Sequence, residues 1–165
     1  MAMHALAFLD GLEVKTCDVL GFSLGGMVAQ QVAQDRPSIF RRMILVGTAP
    51  RGGEDIMRLE KPRLAKYIGD PKLRGYAVLP KIFFALTESS QAAGEAFIGR
   101  LAKRKEDLEP ASGPEVAAAQ IAANLPNAVL LTYPDSGHGS LFQFHDSFTR
   151  QATAFLASNS PFAPY

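Results

Sequence analysis

The run Gly21-Phe22-Ser23-Leu24-Gly25-Gly26 constrains this chain more than any other feature. It stands between Val14 to Leu20, which alternates and then turns apolar, and Leu24 to Asp35, where Met27, Val28, Gln31 and Val32 recur at helical spacing until Pro37. A strand must therefore run directly into a helix with Ser23 at the corner. Such a turn crowds the residues two before and two after it, and glycines at 21 and 25 remove the Cβ atoms that would collide. Leu24 opens the helix, so its N–H lies at the positive end of the helix dipole.

The flanking segments extend this order. Ala2 to Leu12 places Met3, Leu6, Ala7 and Leu9 on a helical stripe that stops at Gly11. Arg41 to Gly47 (RRMILVG) is a short apolar run bounded by charge and glycine, as suits a strand buried on both faces of a parallel sheet. From Pro50 to about Gly113 charges are frequent, Pro62, Pro71 and Pro80 interrupt, and helices are expected over Lys81 to Leu86 and Gln91 to Arg104. Pro114 to Leu125 reads as an Ala-rich helix. Ala128 to Tyr133 (AVLLTY) alternates as a strand would, Pro134-Asp135-Ser136-Gly137 breaks it, and Phe144, Phe148, Ala152, Phe155 and Leu156 form the stripe of a last helix. The tail Asn159 to Tyr165, with two prolines, is expected to fray. The expected organisation is a core over residues 1–49, a helical insertion over 50–123 and the rest of the core over 124–165. The fold class is α/β, a mostly parallel sheet with flanking helices.

Several function classes are excluded by composition. At 165 residues and 47% hydrophobic, the chain can bury one core. Lys+Arg 17 against Asp+Glu 16, spread along the chain, leaves no footprint for nucleic acid or an anionic membrane. No apolar run approaches the roughly 20 residues that span a bilayer, and Met1 to Leu9 lacks a basic start, so a soluble cytoplasmic chain is expected. The lone Cys17, read as a small buried hydrophobe, excludes an internal disulfide framework. Neither G-x-G-x-x-G, a Walker lysine nor an H-x-x-x-H arrangement occurs, so no cofactor and no metal are expected.

A serine is a poor nucleophile without a base. Of the three histidines, His138 lies in a polar, glycine-flanked loop (Asp135 to Ser140) directly after an expected strand, where a side chain can swing over a sheet edge. His4 and His145 fall in helices and read as surface or packing residues. Phe22, beside Ser23, is the candidate pocket residue. Phe83, Phe84 and Phe97 either line an apolar pocket beneath the insertion or simply pack a core.

Together, the strand, GFSLGG, the helix, RRMILVGTAP, the helical insertion and LPNAVLLTYPDSGHGSLFQF resemble the C-terminal part of a serine-dependent α/β hydrolase of the single-domain esterase and haloperoxidase-like type. The resemblance implies Ser23 as nucleophile, His138 as general base, the Leu24 backbone N–H as one oxyanion-hole donor and the insertion as a cap. It further implies a small-molecule carboxylic ester or related acyl substrate, handled without a cofactor. Two family parts are missing from the sequence: the N-terminal half-sheet with its oxyanion loop, and the strand that ends in the triad acid. The order Ser, acid, His requires an acid between residues 23 and 138. Asp55 is the candidate substitute, although acids following Gly52-Gly53 read better as a helix N-terminus. Asp135 reads better as an Asx turn shaping the loop, so no acid is assigned. Only three strands are readable, so the sheet keeps an open edge through which the chain would self-associate. The alternative reading is a truncated, catalytically silent hydrolase remnant, or a binding and assembly module.

Overall fold

A computed structural model describes residues 1–50, 65–73, 75–101 and 128–158. These form two compact units: residues 1–50, 128–130 and 150–158 in the first, and the remainder in the second. The expected helix over Pro114 to Leu125, the tail from Asn159 and Asp55 lie outside the described residues.

The first unit opens with α1 (Ala2–Gly11), followed by β1 (Cys17–Phe22), α2 (Leu24–Asp35) and β2 (Phe40–Val46). The strands pair in parallel, Val19 beside Met43 and Phe22 beside Val46, as a helix crossover between neighbouring strands requires. One residue is extra on β2: Cys17 faces Phe40 but Asp18 faces Arg42, so Arg41 is bulged, and its guanidinium donates to Asp18 Oδ2 at 2.5 Å. Ala29 and Val32 on α2, with Ile39 and Ala49, form the buried apolar residues of this unit. Arg42 ties β2 to the last helix. Its guanidinium donates to the carbonyls of Phe155, at 2.5 Å, and Ser158, and lies 5.0 Å from the centre of the Phe155 ring. Carbonyls at a helix end lack intrahelical partners, which is why a cation serves there. Asp10 of α1 and Arg36, the residue after α2, meet in a two-point ion pair at 2.5 and 2.9 Å.

The strand expected over Ala128 to Tyr133 does not form. Residues 128–133 have no strand partner among the described residues, and Val129, Leu130 and Leu131 are 43–50% exposed. Alternation makes a segment suited to a sheet face, but a strand exists only where a neighbour completes its hydrogen bonds. The described sheet is therefore two-stranded rather than three-stranded.

In the second unit a 3₁₀ turn (Gly75–Val78) leads into α3 (Leu79–Phe83), α4 (Glu88–Leu101) and α5 (Ser140–Gln143); α6 (His145–Ala157) begins here and ends in the first unit. Pro80 in the first turn of α3 forfeits only an N–H that has no partner there. Val78, Leu79 and Ile82 form a buried cluster against Tyr76, Phe83, Phe97 and Ile98. Phe84 is wholly buried, with its ring centre 5.9 Å from that of Phe97, and Phe97 stacks on Phe142 at 4.5 Å. Gly94 of α4 permits this, since a Cβ there would approach Pro80 and Phe84 to 3.0–3.1 Å. Among the described residues no helix is long and apolar enough to cross a membrane.

Candidate active site

The Ser23 corner is built by backbone. β1 runs into it, and the Ser23 N–H continues the ladder by donating to the Val46 carbonyl at 2.9 Å. The chain then reverses within one residue, which holds Ser23 at φ 54 and ψ −122, a region that L residues other than glycine seldom occupy. The reversal carries the start of α2 back over β1. A Cβ on Gly21 would lie 2.6 Å from Gly26 Cα and 2.9 Å from the Gly25 carbonyl oxygen, so position 21 must be glycine.

The second required glycine is not the expected one. A Cβ on Gly25 would meet nothing within 4 Å, whereas one on Gly26 would lie 2.5 Å from Thr48 Cβ. Gly26 lets α2 settle onto Thr48, which is buried, and Gln30 Nε2 reinforces that seat by donating to the carbonyls of Gly26 and Ala49, each at 3.1 Å. Thr48 was not singled out from sequence; its signal is the GG pair, of which only one member can be explained by the corner itself.

Ser23 and Phe22 are half-buried and Leu24 is exposed. Leu24 heads α2, where the first N–H groups lack helical partners and the dipole is positive. That is the geometry an oxyanion donor needs. Cys17, at the far end of β1, is half-buried rather than fully buried as expected.

Ser23, Phe22 and Leu24 belong to the first unit, and His138 and Asp135 to the second. His138 is 2% exposed, its ring edge-on to Phe83 at 5.1 Å between centres and 65° between planes. Phe83, Phe84 and Phe97 thus pack with His138, Phe142 and one another. Gly139 follows, its N–H donating to the Phe83 carbonyl at 2.5 Å. Asp135, at φ 54, accepts hydrogen bonds on its two carboxylate oxygens from Thr87 Oγ1 and Ser89 Oγ. These bonds, from Ser89 first and Thr87 second, hold its carboxyl below the usual aspartate range. Thr87 and Ser89 carried no sequence signal. His4 is exposed on α1, and His145 is exposed beside Asp146 at 3.0 Å. Among the described residues no cluster of His, Cys, Asp or Glu could hold a metal ion.

A strand that turns through a positive-φ serine into a helix, with glycine where the helix crosses back, is the geometry of a nucleophile elbow. The family model described as alpha/beta hydrolase fold matches residues 1–78. An alpha/beta hydrolase fold protein from Chitinophaga pinensis superimposes with a TM-score of 0.79 at 27% identity, over 95% of this chain and 70% of that one. The chain shares the α/β-hydrolase fold with that protein. MGS-M2, an α/β hydrolase enzyme from a Medee basin deep-sea metagenome, shares that fold with a TM-score of 0.70 at 15% identity, over 99% of this chain and 73% of its own. In sequence, the chain is 41% identical over 46 residues to a 2-hydroxymuconate semialdehyde hydrolase of Pseudomonas sp. (strain CF600), which is 28% of this chain and 16% of that enzyme. The relatives matched are hydrolases, and the α/β class with a parallel sheet and flanking helices is the one expected from sequence.

Proposed function

We propose that this chain carries the nucleophile and base of a serine hydrolase acting on carboxylic esters or related acyl compounds. The observation that carries the reading is Ser23 held at φ 54 on the corner between β1 and α2, a strained conformation that a merely structural turn would give to glycine. Ser23 Oγ attacks the acyl carbon while His138 takes its proton, and the Leu24 N–H donates to the oxygen that becomes negative. The C–O bond to the leaving alcohol then breaks and His138 returns the proton to it. Water, deprotonated by the same histidine, releases the acid from acyl-Ser23, so one ester and one water give one acid and one alcohol. Phe22 offers the acyl group an apolar wall. No step calls for a cofactor or metal, and the cytoplasmic placement and the core and cap division remain part of this proposal.

The test is a fluorophosphonate probe on the 165-residue chain, read by intact mass and peptide mapping. Labelling is expected at Ser23, lost on heat denaturation and in Ser23→Ala. A folded chain that stays unlabelled, or a Ser23→Ala chain labelled as fast, overturns the reading. A second reading, a catalytically silent module that pairs with its own copy along the sheet edge, draws on the half-exposed Leu20 of β1 and on Leu130. Light scattering that shows a monomer at all concentrations removes it.

A further inference from the structure

We propose that Asp135 is a positioning residue that holds the His138 loop from its exposed side, an inference that rests on His138 being the base. The loop is tied to the segment from Phe83 to Ser90 on both sides of the histidine. Upstream, Asp135 accepts from Thr87 and Ser89, residues 48 and 46 positions away. Its backbone carbonyl accepts from Gln143 Nε2 at 2.8 Å, and Gln143 Oε1 in turn accepts from Ser90 Oγ at 2.7 Å. Ser90 is wholly buried and also accepts the Ala85 N–H at 2.9 Å, so this chain of bonds is anchored in the core of the second unit. Ser136 Oγ donates to the Tyr133 carbonyl at 2.8 Å and closes the turn. Downstream, Gly139 N–H reaches the Phe83 carbonyl, and a Cβ on Gly139 would come within 3.1 Å of that oxygen. His138 sits between the two ties with its ring against Phe83.

A triad acid would act on the imidazole itself. Asp135 is exposed while His138 is buried, and its acceptor capacity is directed to two hydroxyls on another segment. Those donors favour the ionised carboxylate, so the tie is complete at neutral pH. Asp135 thus acts on the base through the loop, by fixing where its backbone runs.

Three variants separate the roles: Asp135→Asn, Asp135→Ala, and the double change Thr87→Val with Ser89→Ala. An asparagine tolerates φ above zero, its oxygen accepts one hydroxyl and its amide donates to the other. The fluorophosphonate labelling rate at Ser23 is expected to fall about tenfold in Asp135→Ala and in the double variant. It should stay within about threefold in Asp135→Asn, with the midpoint of its pH profile unmoved in all three. Hydrogen exchange at the Gly139 amide should quicken in Asp135→Ala and in the double variant and not in Asp135→Asn. A fall of about 10⁴-fold in Asp135→Asn with the double variant unaffected would make Asp135 the triad acid and overturn the proposal. Unchanged Gly139 exchange in Asp135→Ala would overturn it as well. If the parent chain leaves Ser23 unlabelled, the hydrolase reading fails, and Gly139 exchange alone then decides whether the tie exists.

Discussion

The two units hold Ser23 and His138, the proposed nucleophile and base, by different means. Ser23 is placed by main chain against main chain: a strand ladder up to Val46, a reversal at φ 54, and a helix whose Gly26 Cα would touch a Cβ on Gly21 at 2.6 Å. His138 is placed largely by side chains, through the Asp135 bonds to Thr87 and Ser89 and the Gln143 bond to Ser90, with one main-chain tie from Gly139 N–H to the Phe83 carbonyl. Main chain cannot rotate out of a collision, so the first arrangement should fail steeply. Exposed hydroxyl-to-carboxylate bonds exchange with water, so the second should fail gradually.

The largest effect should follow from a methyl group at the corner. Gly21→Ala drives Cβ into the backbone of α2 and should destabilise the first unit by about 3 kcal/mol in chemical denaturation. Gly25→Ala meets open space on an exposed helical turn and should gain about 0.5 kcal/mol. Equal losses in the two variants would mean that close approach does not hold the corner.

Next comes the strain at Ser23. Glycine occupies φ 54 freely and alanine does not, so Ser23→Gly should be more stable than Ser23→Ala by about 1–2 kcal/mol while both lose the hydroxyl. If alanine is the more stable, the corner relaxes in solution and the comparison with the second unit loses its basis. The corresponding change in the His138 loop is milder. In Gly139→Ala the new methyl lies 3.1–3.3 Å from the Phe83 carbonyl and the buried Phe84 ring, contacts that a few tenths of an ångström relieve, at about 1 kcal/mol.

This difference also decides what could be read from residues alone. The corner is local, so punctuation reports it: α2 runs from Leu24 to Asp35 as expected, and the apolar run expected over Arg41 to Gly47 is the strand Phe40–Val46. The glycine assignment failed at Gly25 because the clash that matters comes from Thr48, beyond β2, and spacing within a motif carries no news of a distant neighbour. The same limit hid the Asp135 partners. An aspartate before Ser-Gly suggests a local Asx turn, while Thr87 and Ser89 are unremarkable residues in a helix start far along the chain. Residues 128–133 show the converse: alternation describes the faces a segment could present, not whether a partner strand stands beside it.

Acid and salt should produce the smallest effect, and together they tell the two units apart. Asp10 in the first unit is held below the usual aspartate range, chiefly by the hydrogen bond from Arg36, and Asp135 in the second by Ser89 and Thr87. A carboxyl depressed on folding adds stability above its ordinary pKa and loses it as pH falls through the depressed value. Both contributions should therefore be constant at neutral pH and fade below about pH 4. Salt acts on only one of them. Raising ionic strength from about 0.1 M to about 1 M shortens the screening length from about 10 Å to about 3 Å and weakens the attraction of Arg36 for Asp10. The donors to Asp135 are neutral hydroxyls, so the His138 loop should keep its acid midpoint at high salt. Following Gly139 and Arg36 amide exchange against pH at the two ionic strengths checks this, Arg36 N–H being bonded to the Val32 carbonyl at 2.8 Å. A salt-dependent midpoint at Gly139 would mean that a formal charge, rather than Thr87 and Ser89, fixes the Asp135 carboxylate.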